Sequence, residues 1–236
     1  MSICCIFNSR FFLSLVKILT MKTTLLFLSV FLSANLFGQN TQIPDPNFEQ
    51  ALIDLNYDDV IDGQVLTSNI SEVTTLYLED KNISDLTGIE AFTSLTFLRC
   101  HNNPLTNIDV SQNISLERLI VKYCYLTSID VSGAVALREL ECNDNYLTNI
   151  DVSQNTALTE LWCGQNSLTY IDISQNTFLE ILSVNTNQLV YLDVNQNPAL
   201  TQLYCGFNQL LSLDVSSNNL LNTLYCFENQ LTCLNI

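Results

Sequence analysis

The sequence predicts a solenoid: a right-handed superhelix of stacked turns with a parallel β-sheet on its concave face, a mostly non-helical convex side and a small helical cap at the N-terminus. Three observations carry that expectation. Leucines recur at Leu95, Leu116, Leu137, Leu158, Leu179, Leu200 and Leu221, each 21 residues after the last. Within each copy, apolar residues alternate with variable ones, as Leu161 and Cys163 do around Trp162, which is the period of a short strand with one face inward. An asparagine returns at Asn103, Asn145, Asn166, Asn187, Asn208 and Asn229, with Cys124 as the one substitution. There the chain must turn, backbone groups lose their ladder partners, and an amide with two donors and two acceptors can replace them.

Taken in chain order, residues 1–38 read as a leader. Met21 and Lys22 form a short basic start, Leu25 to Phe37 an apolar run, and Gly38 or Gln39 the region of cleavage, which places the true start at Met21. That run is shorter than the roughly 20 residues a bilayer span needs, so no transmembrane span is expected in the mature chain. Residues 39–72 read as the cap. In PDPNFEQALIDLNYD, Asp45 is placed to cap a helix that has Pro46 at its first position and Phe48, Leu52 and Leu55 on one apolar face. Residues 73–94 form an irregular first repeat, and 95–236 seven repeats of 21 residues, the last incomplete.

The repeat consensus is LxxLxCxxNxLTxIDVSxNxx. This spacing of leucine and asparagine resembles the leucine-rich repeat family, and in particular secreted, internalin-like bacterial members. The resemblance covers residues 43–236. It implies a non-catalytic module, secreted or at the cell surface, that recognises protein or glycan through its concave sheet. An alternative is a structural spacer, stiffened by calcium, of a longer surface protein with a further C-terminal domain. Leu221, Leu224 and Leu231 would leave raw core at the end of the last copy, as expected of a truncated product.

Composition removes other function classes. Beyond the leader the chain has five bases (Lys81, Arg99, Arg118, Lys122, Arg138) against 24 acids, a balance of −19 that repels nucleic acid. Cys100, Cys142, Cys163, Cys205 and Cys226 share one inward position with Val121 and Val184, so they are expected as buried free thiols behaving as small hydrophobes. No CxxC pair offers a zinc site. The single histidine, His101, has Cys100 on the opposite side of the strand, and no phosphate loop or nucleophile elbow appears. No enzyme activity and no cofactor are expected.

Asp109, Asp130, Asp151, Asp172, Asp193 and Asp214 form a file of outward carboxylates. Neighbours about 5 Å apart repel by roughly 0.8 kcal/mol in water, so either backbone N–H and hydroxyl groups solvate them or the file collects Ca²⁺. A second calcium candidate, DDVIDGQVLTSN at residues 58–69, fits an EF-hand loop at Asp58, Asp62 and Gly63 but has Val60 and Asn69 where ligands belong.

Function is expected where the repeat varies. The outward positions supply Phe97, Arg99, Arg118, Tyr123, Glu141, Trp162, Ile181, Tyr204, Phe207, Tyr225 and Phe227 as the partner-binding face. Tryptophan and tyrosine are enriched in binding hot spots. All five bases lie before residue 139, which gives the face a mixed-charge end and an aromatic, acidic end.

Overall fold

Each copy's Leu-x-x-Leu-x-Cys segment forms a three-residue strand because its two inward side chains are buried and its middle carbonyls and amides pair with the turns on either side. In a computed structural model that describes residues 38–236, eight such strands stack in chain order into one parallel sheet: Thr75–Tyr77, Phe97–Arg99, Arg118–Ile120, Glu139–Glu141, Glu160–Trp162, Ile181–Ser183, Gln202–Tyr204 and Thr223–Tyr225. Register is fixed by the leucines. Leu76, Leu98, Leu119, Leu140, Leu161, Leu182, Leu203 and Leu224 lie side by side, and a slip of one residue would turn all of them to solvent. The leader region lies outside the described residues, apart from Gly38 at its end.

The other side of each turn is extended and largely without ladders. Asn107–Asp109 pairs with Ser128–Asp130, and Ser212–Asp214 with Cys233–Asn235, as two small parallel sheets. Among the described residues helix is confined to Pro46–Asp54, the short Thr67–Ile70 and one 3₁₀ turn at Ile89–Ala91.

Asp45 caps the first helix, its Oδ1 accepting the Asn47 and Phe48 N–H groups at 2.8 and 3.1 Å. Its other oxygen accepts from the Ser84 N–H, the Ser84 hydroxyl and the Asp85 N–H, tying the helix to the irregular repeat. Burial raises the Asp45 pKa, but the hydrogen bonds from Ser84, Phe48 and Asn47 outweigh it and hold the carboxyl below its ordinary value. Phe48 and Leu52 are buried, and Phe48 stacks on Phe92 at 6.3 Å. Leu55 departs from the expected face: it caps the helix C-terminus and is 37% exposed, while Ala51 takes its place inside.

The loop read as a calcium candidate is organised from within. The buried Glu49 carboxylate accepts three backbone N–H groups, from Asp62, Gly63 and Gln64, at 2.7–3.0 Å. Three backbone donors of that loop are therefore taken up by one carboxylate oxygen of the cap helix.

Two asparagine files close the turns. Asn145 is typical of the first: Nδ2 donates to the carbonyls of Val121 and Cys142, and Oδ1 accepts the Leu126 N–H at 3.0 Å. Asn166, Asn187 and Asn208 repeat this for Leu147, Leu168 and Leu189. At Cys124 the thiol lies 3.6 Å from the Cys100 and Lys122 carbonyls, so it covers part of the donor role. It has no oxygen for the Leu105 N–H, the equivalent of the amide that Asn145 receives. In the second file, Asn113, Asn155, Asn176, Asn197 and Asn218 are buried and donate to carbonyls of the preceding turn, as Asn176 does to Val152 and Asn155.

The residue just before the first asparagine file adopts left-handed backbone in every repeat. Asn102, Tyr123, Asp144, Gln165, Thr186, Phe207 and Glu228 have φ between 52° and 56°. None is glycine, so each carries a strain of about 1–2 kcal/mol. The bond to the next turn holds it there: Thr186 N–H reaches Gly206 O at 2.9 Å, and Phe207 N–H reaches Phe227 O at 3.0 Å.

Candidate functional site

The open face of the eight-stranded sheet divides into two parts. In the first, the charged side chains are paired with each other. Arg118 makes a two-point bond to Glu139, Lys122 binds Glu141 at 2.7 Å, and Arg99 lies 3.9 Å from Glu79. The Arg118 guanidinium also sits 4.8 Å from the centre of the Phe97 ring, which in turn meets Tyr77 edge-on at 5.6 Å. Glu139 raises the Arg118 pKa further, chiefly through that hydrogen bond.

In the second part aromatic rings replace ion pairs. Trp162 and Tyr204 stack at 6.0 Å across the small Ser183, and Tyr204 stacks on Tyr225 at 5.2 Å. Phe227 meets Phe207 and Tyr225 edge-on. These five rings, with Asn143, Ser183, Asn185, Thr186 and Gly206, line a cavity of about 440 Å³. The polar ends of two rings are fixed: Trp162 Nε1 donates to Glu160 at 3.1 Å, and the Tyr204 hydroxyl bonds Gln202 at 2.8 Å. A side chain at Gly206 would put Cβ 3.2 Å from Phe227 O, so glycine lets the edge of the cavity pack closely.

The residues expected on one binding face thus fall into four places. Trp162, Tyr204, Phe207, Tyr225 and Phe227 come together in the cavity. Phe97, Arg99, Arg118 and Glu141 lie in the ion-paired part. Tyr123 is 55% exposed and lines a different hollow with Asp80, Asn82 and Tyr125. Ile181 is partly buried between Glu160 and Gln202, outside the lining of the aromatic cavity. Outward Ile120 is buried, flanked by Arg99 and Glu141, and so is outward Ser183, covered by Trp162 and Tyr204. Asn143 and Asn185 are cavity residues that the repeat pattern did not single out.

The aspartate file is used by the backbone. Asp130, Asp151, Asp172 and Asp214 each accept the N–H of the serine two residues on, at 2.9 Å. Bonds from those serines hold all four pKa values below the ordinary carboxylate value. Among the described residues no cluster of three or more His, Cys, Asp and Glu side chains is placed to hold a metal ion. All seven described cysteines are free thiols, and burial pushes Cys163 and Cys205 up to about 12.

The fold has close counterparts among solved structures. The functional domain of InlJ from Listeria monocytogenes, described as including a cysteine ladder, superposes with a TM-score of 0.68 at 34% identity, covering 83% of this chain and 49% of that one. A 77-residue stretch is 41% identical to Internalin J of the same organism, amounting to 31% of this chain and 8% of that protein. The chain has a leucine-rich repeat fold similar to that of the internalins. Internalin C2 of Listeria monocytogenes shares the fold at a TM-score of 0.67 and 19% identity, over 81% of this chain and 90% of that one. No family model matches the chain. The internalin-like chain spans about half of the solved InlJ domain and a small part of full Internalin J. Its own inward row of Cys100, Cys142, Cys163 and Cys205 is fully buried, interrupted by Val121 and Val184. Such a solenoid is a protein-interaction fold, and no described helix is long and apolar enough to cross a membrane.

Proposed function

We propose that this internalin-like chain is an exported, non-catalytic recognition module that binds protein or glycan through the aromatic half of its sheet face. The observation that carries this reading is the stacked row of Trp162, Tyr204 and Tyr225 beside Phe207 and Phe227. These rings are partly exposed, rigidly held and not needed to fill the core, and rings of this kind supply large contact area at small entropic cost. The leader supports export, and N-terminal sequencing of the exported protein is expected to begin near Gly38 or Gln39.

Selection against a random-peptide library and a glycan array tests the face. Ligands so obtained are expected to lose binding with Trp162→Ala plus Tyr204→Ala. They should keep it with Tyr170→Ala plus Tyr191→Ala, which removes two exposed rings from beside the aspartate file. Unchanged binding by the first double variant overturns the reading.

A further inference from the structure

We propose that the aromatic cavity takes the guanidinium group of an arginine in a basic segment of a partner protein. This rests on the reading of the sheet face given above and deepens it by naming the ligand chemistry.

The argument begins with what the other half of the face does with its own arginine. Arg118 lies over the Phe97 ring at 4.8 Å and is gripped by the Glu139 carboxylate on the neighbouring strand. A cation above a ring face next to a carboxylate is thus an arrangement this face already stabilises. The C-terminal half repeats the acceptor set without the cation. Trp162 and Tyr225 end the ring stack and each keep one face outside it, and Glu160 stands on the strand of Trp162, in the same row of the sheet as Glu139. Because Trp162 Nε1 donates to Glu160, the indole has spent its own donor, and the carboxylate keeps the edge of the cavity negative.

Two further observations favour a donor-rich cation over a neutral ligand. Asn143, in the cavity wall, has an Oδ1 that is buried and without a partner, an acceptor waiting for an N–H. From Glu139 to Ile236 the chain carries ten acids and no base, so nothing internal competes for the site and the field draws cations in. The rings touch one another at 5.2–6.0 Å, so a ligand does not enter between them and meets the face that Trp162 or Tyr225 keeps at an end of the stack, where a planar guanidinium stacks better than a compact ammonium.

The experiment uses a short peptide of alternating glycine and arginine, the same peptide with neutral citrulline in place of arginine, and a neutral oligosaccharide. Trp162 is the only tryptophan of the chain, so its emission reports occupancy of the cavity directly. The arginine peptide is expected to change that emission and to bind about tenfold more tightly than the citrulline peptide. The preference should weaken with added salt and shrink in Glu160→Gln, which preserves the acceptor for Trp162 Nε1. Equal binding of the two peptides, or a response to the oligosaccharide alone, overturns the arginine assignment while leaving the sheet face as a binding surface. No response to any of the three overturns the assignment as well, and the library selection with Trp162→Ala plus Tyr204→Ala then decides separately whether the face binds at all.

Discussion

The two halves of the sheet face are built on the same strands, the same leucines and the same asparagine file, yet they present opposite chemistry. From Tyr77 to Glu141 the long side chains satisfy each other: Arg99 with Glu79, Arg118 with Glu139, Lys122 with Glu141. From Glu160 to Phe227 the strands carry rings and acids with no base to neutralise them. The contrast teaches that in a stacked fold the interior sets the register and the outward positions are free to diverge. A surface whose charges are already paired has little to offer a partner, since exposed pairs contribute about 0–1 kcal/mol and cost desolvation to break. The unpaired half is the one with something left to bind.

If one interior underlies both halves, the same deletion must cost the same in each. Asn145→Ala and Asn208→Ala each leave an amide and its carbonyl partners unpaired in the core, and each is expected to lower unfolding free energy by about 3 kcal/mol in denaturant titrations. A cost confined to one half would break the comparison. Cys124 is the one interior irregularity of the first half. Restoring the amide with Cys124→Asn supplies the Leu105 N–H with an acceptor, and a gain of about 1–2 kcal/mol is expected, seen as a raised Tm; a lowered Tm contradicts it. The smallest effect belongs to the second half. Thr186 is β-branched, exposed and held at φ 54°, so Thr186→Gly is expected to relieve about 1 kcal/mol of strain with no loss of cavity rings.

Much of this was legible in the chain. The period of 21 residues, the inward leucines and thiols, both asparagine files and the cap at Asp45 follow from spacing and residue type, because each is repeated or has a local mechanism. What was not legible depends on neighbours far apart in sequence. Ser183 is buried only because Trp162 and Tyr204 close over it from adjacent turns, and Ile120 only because long charged side chains flank it. The left-handed row escaped notice since Tyr123, Gln165, Thr186 and Phe207 share no propensity for it; the bond to the next turn imposes it. Tyr123 and Phe207 share that backbone, and their neighbours separate them: Phe227 meets Phe207 in the cavity, whereas Tyr125 lines the other hollow with Tyr123. Nothing local marks Glu49, because the three amides it gathers lie 13–15 residues downstream.

Amide hydrogen exchange along the first asparagine file tests most directly whether a single interior carries these two unlike surfaces. The account predicts similar, strong protection for the Leu126, Leu147, Leu168 and Leu189 amides, with Leu105 exchanging first because Cys124 gives it no acceptor. Protection that steps abruptly between the ion-paired and the aromatic half, or a Leu105 amide as slow as the others, would contradict it.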